Sequence, residues 1–182
     1  MESRSSKKVN RLHAARWILA MMLIMLVSGC GYRFAASTDN RISSGEKIWV
    51  SFIANETTSP TAQTVIRRAL LDQLHIMRGV VPAGSAEQAN AVVNGTVKAF
   101  SGRVLSYSAA DLDREFRLTL SVELELRRRG EAAPVWKGTL QAFQDYPSSD
   151  DLALQRNAEE AALMAASQKL AEKFITAVEQ SY

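Results

Sequence analysis

The chain has 182 residues, of which 22 are basic and 19 acidic, and 47% of its residues are hydrophobic. Five basic residues and one acidic residue precede Cys30, which leaves 17 basic (22 less 5) and 18 acidic residues (19 less 1) in the remainder. That balance does not indicate a nucleic-acid-binding surface. Cys30 is the only cysteine, so a disulfide within the chain is excluded and a hydrophobic core must stabilise the fold.

The first 29 residues have the order of a secretory signal peptide. Arginine and lysine residues between positions 4 and 16 are followed by an apolar run over residues 17–27 and then by Ser28 and Gly29. The apolar run is much shorter than the roughly 20 residues that a membrane-spanning helix needs. We therefore predict a cleaved signal peptide over residues 1–29 rather than a permanent transmembrane helix.

Cys30 ends a lipobox, the sequence Val27-Ser28-Gly29-Cys30. Two small residues before the thiol give a peptidase access to extended backbone. We predict that the Cys30 thiol carries a diacylglycerol and that its freed amino group carries a third acyl chain. One chain alone holds a protein to a membrane only marginally, whereas three anchor it effectively permanently. Gly31 follows in place of the aspartate of inner-membrane lipoproteins, so we expect the outer membrane. The alternative is a free or buried cysteine after an ordinary cleavage site.

Residues 30–46 are predicted to be the lipidated start and a tether, and residues 47–182 a single domain. The first strand is predicted over residues 47–55, with Ile48, Val50, Phe52 and Ala54 on one face. A helix follows, with Ser59 as its N-cap and Pro60 at its first position, and it ends at Gly79.

A brief extended piece at residues 80–82 precedes a long strand over residues 91–107, with Val93, Val97 and Ala99 inward. Its apolar residues change side at Phe100 and Val104, which indicates a bulge or bend near Gly102.

The clearest pattern covers residues 114–128, where apolar residues occupy every even position from 116 to 126. This predicts an antiparallel strand with one buried and one solvated face. A turn at residues 129–134, a returning strand at 135–146 and a final helix at 151–180 complete the order β-α-β-β-β-α. The predicted fold class is α+β, a two-layer sandwich of a mostly antiparallel four-stranded sheet with two helices on one face.

The sequence predicts no catalytic residue, metal site or cofactor. His75 has no partner at metal-ligand spacing and is interpreted as a surface or half-buried histidine. Asp111, Asp113 and Glu115 are interpreted as a solvated turn. No nucleophile elbow or phosphate-binding glycine loop is present in the sequence.

A basic run, Arg127-Arg128-Arg129, lies at the end of the alternating strand. One interpretation is a solvated charge run that protects a strand end. The other is contact with phosphates or a membrane surface, since guanidinium groups bind phosphate bidentately. Lys137 and Arg103 could join such a patch, depending on the strand register.

Several segments resemble the lipopolysaccharide-assembly lipoproteins of the LptE family. The mature start Cys30-Gly31-Tyr32-Arg33-Phe34 resembles the start of those proteins, and residues 48–57 resemble their first strand and its Asn-x-Thr loop. Residues 114–120, 135–137 and 145–146 and the final helix continue the likeness over the whole mature chain. Ser51 departs from the family, where proline is common.

The resemblance implies a non-enzymatic outer-membrane protein that plugs the LptD β-barrel and helps it assemble. The domain would first be periplasmic and then lodge in the barrel lumen, where it assists delivery of lipopolysaccharide to the outer leaflet. Arg127, Arg128, Arg129 and Lys137 would then contact lipid A phosphates or barrel carboxylates.

Two other classes remain open. One is a periplasm-facing outer-membrane lipoprotein that activates or gates a cell-wall synthase or a secretion channel. The other is a small lipid-handling or hydrolytic enzyme, for which the sequence offers no convergent polar site.

Overall fold

The fold combines a mixed sheet with two helices. The structure is a computed structural model that describes residues 42–107 and 113–181, so the predicted signal peptide, Cys30 and Asp111 lie outside the described residues. The elements are listed in chain order: β1 (Lys47–Val50), β2 (Ala54–Asn55), α1 (Ala62–Arg78), β3 (Val81–Pro82), a short 3-10 helix (Ala86–Gln88), β4 (Ala91–Tyr107), β5 (Asp113–Arg128), β6 (Trp136–Pro147) and α2 (Leu152–Gln180).

The sheet has six strands, in the order β3-β1-β4-β5-β6, with β2 also pairing with β4. Strands β4, β5 and β6 are antiparallel neighbours, whereas β1 runs parallel to both β3 and β4, and β2 runs parallel to β4. The prediction of a mostly antiparallel four-stranded sheet was therefore wrong, although the α+β class with two helices is confirmed. The physical reason is α1, because a helical crossover between two strands of one sheet returns the chain in the same direction.

The predicted first strand is divided into β1 and β2. Val50 pairs with Val93, and Ala54 pairs with Thr96. Three residues therefore lie between the two pairs on the β1–β2 segment, whereas only two lie between them on β4. The extra residue reverses the side-chain alternation. Phe52, predicted to lie inward, is 84% exposed, and Ile53 is buried in its place.

Strand β4 changes its buried side earlier than the sequence suggested. Val97 pairs with Val122 and Ala99 with Ser121, so Lys98 is an extra residue that shifts the register. The predicted change of side at Phe100 is confirmed, because Phe100 is half-buried. Gly102 itself pairs regularly with Leu118, and two further register shifts follow it between Val104 and Tyr107. Ala99, predicted inward, is exposed.

The start of α1 also differs from its prediction. Thr61 occupies the N-cap, and the helix begins at Ala62 rather than at Pro60. Ser59 is instead held by the preceding loop: Asn55 Nδ2 donates to the Ser59 carbonyl at 2.7 Å, and the Ser59 N–H donates to Thr57 Oγ1 at 3.3 Å. These bonds keep Ser59 out of the helix.

Glycine and aspartate mark the other helix ends. Gly79, at φ 63°, ends α1 as predicted, and its N–H donates to the His75 carbonyl at 2.8 Å. This 5→1 bond to a left-handed glycine is an αL cap, and the next N–H, of Val80, donates to the Leu74 carbonyl at 3.3 Å. Asp151 is the N-cap of α2, and its carboxylate accepts from the N–H of Ala153 at 2.7 Å.

The core lies between the sheet and the two helices, and β5 supplies its centre. Ile66, Leu70, Leu74 and Met77 recur at helical spacing in α1, which predicts one inward face; the first three are buried, but Met77 is 41% exposed. Leu163, Leu170, Phe174 and Val178 recur in the same way in α2, and all four are buried. In β5, the even-numbered residues from Leu118 to Leu126 are 0–1% exposed, which confirms the alternating pattern.

Basic side chains from the helices cover backbone carbonyls at both edges of the sheet. Arg67 of α1 donates from Nε to the Val50 carbonyl at 2.9 Å, beyond the point where β3 ends. Along β6, Lys173 of α2 donates to the Gln141 carbonyl at 2.8 Å, and Lys169 to that of Phe143 at 3.5 Å. These contacts occupy acceptors that would otherwise be open to a strand of another chain.

Gly95→Ala is expected to lower the free energy of unfolding by about 1–3 kcal/mol, because an added methyl group overpacks the core. A β-carbon at Gly95 would lie 2.7 Å from Leu124 Cδ2 and 2.9 Å from Ile53 Cδ1. Urea unfolding followed by circular dichroism measures the change. Gly102→Ala is the control in the same strand, since the nearest atom there is the Tyr146 hydroxyl oxygen at 3.5 Å. Equal effects of the two substitutions would contradict the packing argument.

Candidate functional site on the uncovered face of the sheet

The side of β4, β5 and β6 that faces away from the core is the candidate functional surface, called here the outer face. Both helices pack on the opposite side, against the even-numbered residues of β5. The odd-numbered residues of β5 therefore form the centre of the outer face: Glu115, Arg117, Thr119, Ser121, Glu123, Glu125 and Arg127. Charged groups lie at its two ends, and hydroxyl groups lie between them.

The first charged group lies near the turn between β5 and β6. Glu125 pairs with Lys137 in the sheet register, which brings Lys137 Nζ to 2.9 Å from Glu123 Oε1 and 4.0 Å from Glu125 Oε2. Arg127 donates to Glu125 Oε1 from Nε at 3.1 Å and from a terminal nitrogen at 2.8 Å. The hydrogen bond between Lys137 and Glu123 raises the pKa of the lysine and lowers the pKa of the carboxyl.

The predicted basic patch is divided by the strand geometry. Arg127 and Lys137 share the outer face, but Arg128 points to the other side, where its guanidinium lies 3.6 Å from the Glu46 carboxylate. Arg129 is exposed in the turn, and its N–H donates to the Asn90 carbonyl at 2.9 Å. Arg103 lies at the far end of the sheet, so it does not join the others.

The second charged group was not singled out from the sequence. Arg117 donates to both carboxylate oxygens of Asp145, at 2.7 and 2.8 Å, and its guanidinium carbon lies 4.7 Å from the centre of the Phe143 ring. Arg117 lowers the pKa of the Asp145 carboxyl through this hydrogen bond. Arg103 pairs with Arg117 on the neighbouring strand. The register of β5 and β6 was the missing information, since the two partners are 28 residues apart.

Residues 42–107 and 113–181 contain no group of three or more histidine, cysteine or acidic side chains able to hold a metal ion. The two helices in those ranges are not long and apolar enough to cross a membrane. His75 lies exposed on α1 with Nδ1 3.0 Å from the Val80 carbonyl oxygen, in keeping with its interpretation as a surface histidine.

These observations define an α+β domain in which one face of the sheet is not covered by helices and carries several ion pairs. The chain belongs to the LptE family of lipopolysaccharide-assembly proteins, whose family model matches residues 46–178. This confirms the resemblance seen in the sequence. The family consists of non-enzymatic lipoproteins that act in lipopolysaccharide assembly at the outer membrane.

Solved structures of the same fold come from several bacteria. Protein XCC0632 from Xanthomonas campestris is 12% identical, with a TM-score of 0.54 over 77% of this chain and 93% of its own. PelC from Paraburkholderia phytofirmans, a dodecamer, is 20% identical, with a TM-score of 0.50 over 76% of this chain and 91% of its own. At these identities the likeness shows the fold alone.

Rare lipoprotein B from Shewanella oneidensis is 16% identical over 73% of this chain and 95% of its own, with a TM-score of 0.49. A TM-score at that level adds nothing to the fold assignment. No curated protein matches the chain.

Asp145→Asn is expected to lower the melting temperature at neutral pH and to have little effect in acid. A carboxyl whose pKa is lowered by folding stabilises the protein above its unfolded pKa of about 3.9, and this stabilisation is lost as the pH falls through the lower folded value. The measurement is the melting temperature of both proteins between pH 7 and pH 2.5. Asp150→Asn is the control, because Asp150 is exposed and forms no ion pair with any residue in the described ranges. A melting difference that stays constant over this range would exclude the Arg117–Asp145 ion pair as its source.

Proposed function

We propose that this protein acts in lipopolysaccharide assembly as the plug and assembly partner of the LptD β-barrel. Membership of the LptE family supplies the general role. The observation that supports the finer role is the outer face, which is mostly polar and carries three ion pairs formed within the chain.

A surface placed in a barrel lumen must suit polar walls, because the interior of outer-membrane barrels is polar. It must also avoid burying unpaired charge, which is costly. On the outer face, Lys137 pairs with Glu123, Arg127 with Glu125, and Arg117 with Asp145. Because each charged side chain enters the lumen together with a partner of opposite charge, the desolvation cost is smaller than it would be for the same ions unpaired.

The proposal includes the lipid anchor predicted at Cys30. The anchor would hold the domain at the outer membrane, first on the periplasmic side and then in the barrel lumen. Three acyl chains give an attachment that does not depend on the partner. The domain can therefore stay at the membrane before the barrel is complete.

The proposal also assigns anion contacts to the predicted basic residues, directed at lipid A phosphates or at barrel carboxylates. Arg127 and Lys137 already have carboxylate partners, and Arg128 lies beside Glu46, so an external anion would compete with groups of the same chain. Arg129 is exposed in the turn and forms no ion pair in the described ranges, although its charge contributes to the lowered pKa of the Glu87 carboxyl nearby. It is the strongest of the four candidates for a phosphate.

A photo-crosslinking residue at Thr139, on the outer face of β6, is expected to join the full, lipidated protein to a large heat-modifiable β-barrel in cells. The matched control is the same residue at Gln168, which is exposed on α2. Tagged protein is purified from solubilised outer membranes, and mass spectrometry identifies the adducts. Adducts from Thr139 that contain a cell-wall synthase or a secretion component, and no barrel, would overturn the plug role and support the alternative class.

Arg129→Glu is expected to weaken binding of lipopolysaccharide micelles about tenfold, the loss of one charge-assisted contact. Lys137→Glu should also weaken binding, but it breaks the ion pair with Glu123 as well. Adding Glu123→Lys restores an ion pair and separates damage to the fold from loss of an anion contact. Binding is measured on the full protein in detergent, with circular dichroism to check the fold. Unchanged binding in both single variants would show that Arg129 and Lys137 are solvated charges that do not contact lipopolysaccharide.

A further inference from the structure

We propose that the guanidinium of Arg67 is a preformed binding site for a carboxylate of a partner protein. The inference rests on the proposed function and deepens it, because the partner carboxylate is an acidic side chain on the wall of the barrel. The site lies where β1 continues past the end of β3, and β1 is not one of the three strands of the outer face. It is called here the Arg67 site and consists of Trp49, Phe52, Gln63, Thr64 and Arg67.

Three contacts hold the Arg67 guanidinium in place. Its Nε donates to the Val50 carbonyl at 2.9 Å, and its Cζ lies 5.3 Å from the ring centres of both Trp49 and Phe52. Such contacts with aromatic rings stabilise a cation. Phe52 is 84% exposed, so its ring forms an open wall of the site and is not part of the core. A guanidinium that is already positioned loses less side-chain entropy when it binds an anion.

The two terminal nitrogens of Arg67 are available to a ligand. Among the described residues they form no hydrogen bond or ion pair, because the one hydrogen bond of this side chain is made by Nε. Arg67 lines an open cavity of about 370 Å³ together with Gln63 and Thr64, whose side chains can also donate to an anion. The cavity lining contains two arginines and one acidic residue, Asp72, whose Oδ2 lies 3.7 Å from Arg68 Nε. One positive charge therefore remains for a single monoanion.

Another arginine of the protein shows this arrangement with its carboxylate present. The Arg117 guanidinium carbon lies 4.7 Å from the centre of the Phe143 ring, and Arg117 donates to both carboxylate oxygens of Asp145 at 2.7 and 2.8 Å. Arg67 has ring contacts of the same kind but no carboxylate. Its terminal nitrogens present a parallel pair of N–H donors, which matches the two oxygens of a carboxylate. This precedent and the single excess charge of the cavity favour a carboxylate over a phosphate group, which carries up to two negative charges.

A position in the barrel lumen supplies the reason for a partner carboxylate, because the lumen of such barrels is lined by polar side chains. The three ion pairs of the outer face enter the lumen already neutralised, whereas Arg67 has no anionic partner of its own. Burying a charge without a partner is costly, and an acidic side chain on the barrel wall removes that cost. Arginine and aromatic residues are also the types that most often dominate binding at protein interfaces.

Dissociation of the complex tests the contribution of Arg67. The full, lipidated protein is tagged and purified with its barrel, and excess untagged protein is added as a competitor. Arg67→Gln is expected to speed the release of the barrel about tenfold, because a charge-assisted contact is lost. Arg68→Gln is the matched control, since it removes the same charge from the neighbouring residue, which is paired with Asp72. Equal release rates for the natural protein and Arg67→Gln, or equal effects of the two substitutions, would overturn the proposal.

A photo-crosslinking phenylalanine analogue at position 52 locates the partner group, since it keeps the ring beside Arg67. The expected adduct is a barrel peptide that contains an aspartate or a glutamate. Replacing this acid with arginine in the barrel, together with Arg67→Glu, should restore slow release, which a purely structural role of Arg67 would not do. A barrel adduct from Thr139 with none from position 52, or an adduct of position 52 with lipid alone, would overturn this inference and leave the proposed function intact. No barrel adduct from either position would overturn both.

Discussion

Strand β5 lies between β4 and β6, and half of its side chains are enclosed beneath two helices. Leu118, Leu120, Val122, Leu124 and Leu126 are almost completely buried. Burying each such side chain contributes on the order of 1.5–3 kcal/mol. A slip of one residue would exchange these five for the charged and hydroxyl residues of the outer face. The hydrophobic layer therefore sets the register of all three long strands.

The fixed register also determines which charges meet on the other side. In the pairing of β5 with β6, the numbers of opposed residues always add up to 262, which places Glu125 opposite Lys137 and Arg117 opposite Asp145. Exposed ion pairs of this kind contribute little to stability. Their effect is on the surface itself, because they make a strongly charged face locally neutral. The buried side of β5 thus specifies the chemistry of the side that is free to bind.

Local patterns predicted the elements that depend mainly on their own residues. The alternation in β5 and the apolar spacing of α2 were sufficient, since each buries one continuous face. Strands β1 and β2 could not be separated in the same way, because the extra residue between them appears only when both are paired with β4. The prediction of Ser59 as the N-cap was wrong, because the carbonyl and N–H of Ser59 bind the side chains of Asn55 and Thr57 in the loop before the helix.

The basic patch shows a different limit. Arg127 and Arg128 are adjacent in sequence, and successive side chains of a strand point to opposite sides of the sheet. Counting them as one patch ignored that geometry, although the predicted strand already contained the information. The pair Arg117–Asp145, in contrast, required the register of two strands and was out of reach of local patterns.

The lysines that cover the free edge of β6 belong to α2, which follows β6 in the chain. A nascent chain emerges with its amino end first, so β6 is available for pairing before Lys169 and Lys173 arrive. During that interval the carbonyls of Gln141 and Phe143 are acceptors for a strand of any neighbouring polypeptide. Folding therefore includes a short period in which the edge of β6 is open to pairing, and docking of α2 ends it.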